Sequence, residues 1–243
     1  MNIFLYKTKF GLDCLLLFIT IFFIIGCNHQ TTKNKVNLET TPDTNRFHIE
    51  VLATGMIDPT EMAVDEKGNA FVLERKGEIN YFNATKKTFL RVGTLKVNLG
   101  HEDGLLGIAL DPKYSLTHWV YILYTPDPHK EQRISRFVFK NNQLDIQSEK
   151  VIISYPIVPE RHQGGSLAFD GAGNLCISTG ENTKPTDING HAPIDERIGH
   201  EINDSQRSAG NTNDMRGKIL RIHPNPDGSY SIPKGNLFDM NFG

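Results

Sequence analysis

The sequence is short of several things, and each shortage removes a class of protein. It has three cysteines in 243 residues, at positions 14, 27 and 176. Cys14 and Cys27 belong to the N-terminal apolar region, so Cys176 has no intramolecular partner and a disulfide framework is excluded. Basic charge is not in surplus: 26 Lys and Arg stand against 28 Asp and Glu, a net charge of −2. There is no aromatic–basic pattern either, so a nucleic-acid partner is not expected. The chain holds no glycine-rich phosphate loop and no Gly-x-Ser-x-Gly elbow. Its nine histidines form no close ligand pair such as His-x-x-x-His, which argues against a transition-metal centre. No segment of the body has the 3.6-residue period of an amphipathic helix. The 38% hydrophobic content is that of an ordinary globular chain with one large or two small domains.

The one long apolar run, Leu15 to Ile25, follows Lys7 and Lys9 and is too short for a comfortable membrane span. It closes on Ile24-Ile25-Gly26-Cys27, which resembles a bacterial lipobox. That resemblance implies a lipoprotein signal peptide over residues 1–26 and lipidation of Cys27. The protein is then exported and held to the cell envelope by lipid alone, on the periplasmic side or at the outer membrane. An uncleaved anchor and an ordinary signal peptide are the other readings. Residues 27–46 are polar and aperiodic, as in a flexible tether.

What remains points to β structure. Twenty-one glycines and twelve prolines punctuate short apolar runs, as in strands joined by turns. An alternating strand is expected at Phe47-His48-Ile49-Glu50-Val51-Leu52. A repeat follows. Met62-Ala63-Val64-Asp65-Glu66-Lys67-Gly68-Asn69-Ala70-Phe71-Val72 matches Leu167-Ala168-Phe169-Asp170-Gly171-Ala172-Gly173-Asn174-Leu175-Cys176-Ile177. Ile108-Ala109-Leu110-Asp111-Pro112, with Trp119 to Tyr124 after it, is a partial third copy. Each reads strand, Asp-led turn, strand, with the aspartates 46 and 59 residues apart. Gly77 to Phe82, Arg133 to Phe139 and Gly217 to Ile222 supply a further strand each. Repeats of this length with several strands apiece indicate β-propeller blades; a sandwich of short strands is the competing architecture. At about 50 residues per blade, residues 47–243 hold three to four blades. Cys176, between Leu175 and Ile177, is expected to be a small buried strand residue.

The chemistry concentrates at Arg161-His162-Gln163-Gly164-Gly165, a polar loop entering the strand at Ser166. The partner strand ends at Gly180-Glu181. If the two strands form a hairpin, His162 and Glu181 lie at the same end of it, and a histidine oriented by a carboxylate is suited to general-base work. Arg161 is open to two readings, an anion contact or a rim arginine in solvent. Glycines 164 and 165 either admit a flat ligand close to the backbone or simply make the turn.

Four stretches together resemble the glucose/sorbosone dehydrogenase family of soluble quinoprotein aldose dehydrogenases: Gly100-His101-Glu102-Asp103-Gly104-Leu105-Leu106-Gly107 running on to Pro112, the histidine loop 161–170, Ser178-Thr179-Gly180-Glu181-Asn182, and Gly217-Lys218-Ile219-Leu220-Arg221-Ile222. The resemblance implies a six-bladed propeller that binds pyrroloquinoline quinone (PQQ) across its channel and oxidises an aldose to its lactone. It makes His162 the base and Glu181, nineteen residues on, its supporting carboxylate. Glu102 stands where the family has a cofactor-contacting glutamine, and Arg161, Gln163 and Glu102 are the cofactor-facing candidates. The family's quinone-polarising arginine, its basic clamp and its calcium site match nothing up to residue 243, so these residues are expected to be inactive alone. The sugar and the electron acceptor are not specified. The other reading is a propeller that binds carbohydrate or protein without catalysis; an accessory domain of a larger protein is a third.

The stretch 182–214 is rich in oxygen ligands: Asn182, Asp187, Asp195, Glu196, Asp204, Asn211, Asn213 and Asp214. Calcium takes such donors from a loop, but the spacing is not that of an EF-hand. A solvated insertion built on Asx turns is the alternative.

Overall fold

Three consecutive stretches of the chain each form a four-stranded antiparallel sheet. The first holds β1 (Pro59–Val64), β2 (Ala70–Glu74), β3 (Glu78–Asn83) and β4 (Thr88–Thr94). The second holds β5 (Leu105–Leu110), β6 (Trp119–Tyr124), β7 (Glu131–Lys140) and β8 (Gln143–Pro156). The third holds β9 (Gly164–Phe169), β10 (Leu175–Thr179), β11 (Ile219–Pro224) and the two-residue β12 (Tyr230–Ser231). A single-turn helix, α1 (Tyr114–Thr117), lies between β5 and β6. The first strands of the sheets are neighbours, with β5 between β1 and β9. The fold is all-β, three blades of a propeller.

This computed structural model describes residues 46–128, 131–158, 161–184 and 190–237. It divides into units 1–50 and 51–243, and the blades belong to the second. The expected signal peptide over 1–26, the lipidation site Cys27 and the tether up to residue 45 lie outside the described residues. The strand expected at Phe47–Leu52 does not form; the chain enters its first strand only at Pro59. Alternation gives a strand a face, but a strand also needs a ladder partner, and Phe47 and Ile49 remain 74% and 87% exposed. Proline is tolerated at the first residue of β1 because no ladder donor is needed there.

Two apolar cores separate the three sheets, and β6 feeds both. Val120, Ile122 and Tyr124 join Phe71, Leu73, Ile79 and Phe137 between the first two sheets. Tyr121 and Leu123 face the other way, onto Leu167, Leu175 and Ile177 between the second and third. A strand covered on both faces reads as an unbroken apolar run, since its two-residue period puts alternate side chains into different cores. In β10 only Leu175 and Ile177 enter a core. Cys176 lies on the opposite face of that sheet, half-buried and free, not fully buried as expected.

The Asp-led turns cluster at one end of the blades. Asp65 Oδ1 accepts from the amides of Lys67 and Asn69, and its Oδ2 from Asn69 Nδ2, each at 2.9 Å. Asp170 repeats the arrangement with Ala172 and Asn174 and adds Arg221 Nε at 2.9 Å. The Asn174 side-chain and backbone donors, then Arg221, hold the Asp170 carboxyl far below the usual range. Between the Asp65 turn and the Asp111 loop a cavity of about 560 Å³ opens, lined by Asp65, Tyr81, Tyr114, His118 and Phe139 among others. It is at the end of the blades remote from His162.

Candidate functional site

At the other end, each innermost strand is irregular. The register slips by one residue between Pro59 and Met62, between Leu105 and Gly107, and on β10 between Ile177 and Thr179. In the third blade Gly165 and Ser166 oppose Ser178 alone, and Ser178 Oγ takes the Ser166 amide at 2.9 Å. Bulges re-aim the chain where a strand leaves its ladder. Here they bring the loops before β5 and β9 and the one after β10 to a common face.

Those loops meet at His162. Its Nδ1 lies 2.5 Å from Glu181 Oε1, and its backbone N–H donates to Glu102 Oε2 at 2.6 Å. His162 adopts a left-handed φ of 60°, which costs a non-glycine residue about 1–2 kcal/mol. Asn182 secures the same loop from below: its Oδ1 accepts from Val158 N at 2.6 Å, and its Nδ2 donates to Arg161 O at 3.3 Å. The Gly180 amide donates to Gln163 O at 3.0 Å. Asn182 is 1% exposed, whereas the His162 ring is 43% exposed and the Glu181 side chain 18%.

Burial raises the Glu181 pKa, but the His162 hydrogen bond, the Thr183 hydroxyl and the imidazole charge outweigh it and leave the carboxyl below its ordinary value. Ionised, Glu181 accepts the Nδ1 proton, and Nε2 becomes the ring's free acceptor. The loop under Glu181 is tied to a basic cluster. Arg207 donates to Asn182 O at 2.5 Å, Ser208 Oγ to Glu181 O at 2.6 Å, and Lys218 Nζ to the carbonyls of Ser208, Ala209 and Arg216 at 2.6, 3.1 and 2.9 Å. Burial and then the Arg216 charge lower Arg207; burial likewise lowers Lys218.

The loop carrying Glu102 is held in turn by the first blade. Arg75 Nε pairs with Asp58 Oδ2 at 2.6 Å, and its Nη1 donates to the carbonyls of His101 at 3.3 Å and Asp103 at 3.1 Å. Arg75, Glu102 and His162 thus link three blades across one face.

The structure brings His162, Glu181 and Glu102 together, and Glu102, itself exposed, accepts from the histidine backbone N–H. Gln163 is buried, 2% exposed. Arg161 is exposed. The oxygen-rich stretch is committed locally: Asp195 to Arg197 and His200, Asp214 to Arg216, Asp204 to the Gln206 amide. Asp187 lies outside the described residues. Among the described residues no group of three or more His, Cys, Asp or Glu could hold a metal ion. The sequence did not reveal Arg75, or Asn182 as a clamp rather than a metal ligand. The Gly-Glu-Asn triplet that follows β10 was the available signal for Asn182.

The propeller fold has matches among known proteins. Residues 56–241 match the family described as Glucose / Sorbosone dehydrogenase. The chain belongs to that family. It is similar to the PQQ-bound form of an aldose sugar dehydrogenase from Streptomyces coelicolor (TM-score 0.60, 26% identity, 78% of this chain and 50% of that one). It also shares its fold with the apo-form of a soluble aldose sugar dehydrogenase from Escherichia coli (TM-score 0.56, 21% identity, 79% and 50%). Among curated proteins it is similar to human Hedgehog-interacting protein, 25% identical over 79% of this chain and 28% of that protein. The chain thus spans about half the length of these solved structures and about a quarter of that curated relative.

Proposed function

We propose that this chain supplies the proton-abstracting half of a PQQ-dependent aldose dehydrogenase, with His162 as the base. The observation that carries the reading is the Nδ1–Glu181 contact at 2.5 Å on a ring that is still 43% exposed. Glu181 fixes the tautomer, so Nε2 is free to take the proton of a sugar's anomeric hydroxyl, and the carboxylate stabilises the imidazolium that results.

The residues present fit an anionic quinone as far as they extend. Arg161 offers an exposed guanidinium, suited to carboxylates. Glu102, a repulsive neighbour for such a group on sequence grounds, is drawn to the His162 N–H at 2.6 Å. When bound, PQQ supplies the hydride acceptor, and the chain's own part is to hold the base and receive the proton. In the same reading the protein is exported and lipid-anchored through Cys27.

The similarity to a Hedgehog-interacting protein supports a second reading, a propeller that binds a partner without turnover. Reconstitution of the full-length protein with PQQ and calcium, then an aldose panel and an artificial acceptor, separates the two. Aldose-dependent reduction of the acceptor supports the dehydrogenase. Saturable PQQ binding without reduction on any aldose contradicts it and favours the binding module.

A further inference from the structure

We propose that Glu102 and Asn182 are positioning residues that clamp the Arg161–His162 peptide plane and so aim the base. One peptide unit is gripped at both ends by side chains from different blades. Its carbonyl, Arg161 O, accepts from Asn182 Nδ2 at 3.3 Å; its N–H, on His162, donates to Glu102 Oε2 at 2.6 Å. Rotating that plane breaks both bonds together. The plane sets the backbone torsion on each side of it, including the left-handed φ of 60° at His162, a conformation that costs a side-chain-bearing residue free energy. Glu102 reaches across from the loop that Arg75 pins through the carbonyls of His101 and Asp103. Asn182 is immobilised by burial and by its second bond, to Val158 N at 2.6 Å. Glu181, the residue just before Asn182, then meets the ring that this backbone presents. Glu102 is therefore assigned to the histidine and not to the cofactor, and a neutral acceptor of the same shape serves as well as a carboxylate.

The kinetic part of this inference rests on His162 being the base; the geometric part does not. The test uses full-length protein labelled with 15N-histidine, with the His162 signals assigned by their loss in His162→Gln. In the wild type the short hydrogen bond to Glu102 places the His162 amide proton downfield, and the Nδ1 proton shared with Glu181 is protected from solvent exchange. Glu102→Ala is expected to move the amide upfield and to broaden the Nδ1 proton, while Glu102→Gln keeps both signals near their wild-type positions. In the PQQ-loaded protein, Glu102→Ala should lower kcat by roughly 10- to 100-fold, the scale of a base displaced by about an ångström. KM should change little, and Glu102→Gln should recover most of the loss. Because Glu102 is exposed, these variants are expected to fold; Asn182→Ala is a supporting variant, since its burial puts folding at risk. Unmoved His162 signals in Glu102→Ala overturn the clamp, as does a Glu102→Gln variant no better than Glu102→Ala. If the signals shift as described and no variant turns over any aldose, the clamp stands and the dehydrogenase reading fails.

Discussion

Gly180 lies so close beneath His162 that a methyl group at position 180 would sit 1.5 Å from the histidine's carbonyl oxygen and 2.6 Å from the carbonyl carbon of Gln163. The end of β10 and the base-carrying loop are therefore in backbone contact, joined by the Gly180 N–H to Gln163 O bond at 3.0 Å. No side chain can move aside there, because both obstacles are backbone. Gly180→Ala is expected to cost roughly 2–4 kcal/mol and to displace the histidine loop, with loss of activity exceeding that of Glu102→Ala. Thermal unfolding and initial rates check it; a variant with wild-type stability and rate contradicts the packing described.

The depressed carboxyl of Glu181 predicts a pH dependence with a definite sign. A carboxyl whose folded pKa lies below its unfolded one stabilises the fold above the ordinary glutamate range, and that stabilisation disappears as pH falls through the folded value. The difference in melting temperature between wild type and Glu181→Gln should therefore be largest near neutrality and shrink below about pH 4. A difference that is flat or grows on acidification contradicts the assignment of Glu181 as ionised partner.

Neighbouring residues of β6 should behave as strangers. Ile122 and Leu123 are both fully buried, in different cores. Each truncation to alanine is expected to cost about 2–5 kcal/mol. The double variant should lose the sum to within about 0.5 kcal/mol, since the two side chains share no core neighbours. Chemical denaturation of the three variants decides it, and a large coupling energy would indicate one continuous core.

This double burial is also why much of the fold was legible in the sequence. The unbroken run Trp119 to Tyr124 and the alternation around Cys176 differ because β6 has a sheet on each side and β10 has one that covers Leu175 and Ile177. The Asp65 and Asp170 turns were readable because one carboxylate satisfying several nearby donors needs only local sequence. The outer strands β4 and β8 were not singled out, being amphipathic with weak periodicity, and Phe47–Leu52 misled because its pattern has no ladder partner. At the site, the His162–Glu181 pair followed from hairpin geometry. The Glu102 and Arg75 contacts did not, because they join loops from separate blades, and the Asn182 contacts did not, because loop-to-loop distances are not encoded in any local pattern.

The two ends of the blades should be separable by mutation. Asp170→Ala removes the acceptor for Ala172 N, Asn174 and Arg221 Nε at the end opposite His162. It is expected to lower the melting temperature while leaving kcat and KM of the folded protein unchanged. A selective loss of kcat would show that the turn communicates with the site.

The most direct measurement of the central claim is the rate of aldose-dependent acceptor reduction by the full-length, PQQ-loaded protein and its His162→Ala variant, with PQQ binding measured on both. A general base contributes typically about 10²–10⁴-fold, so the variant should bind PQQ and lose no more melting temperature than Glu181→Gln, which breaks the same pair, while its rate falls by that order. Equal rates in the two proteins would contradict His162 as the base.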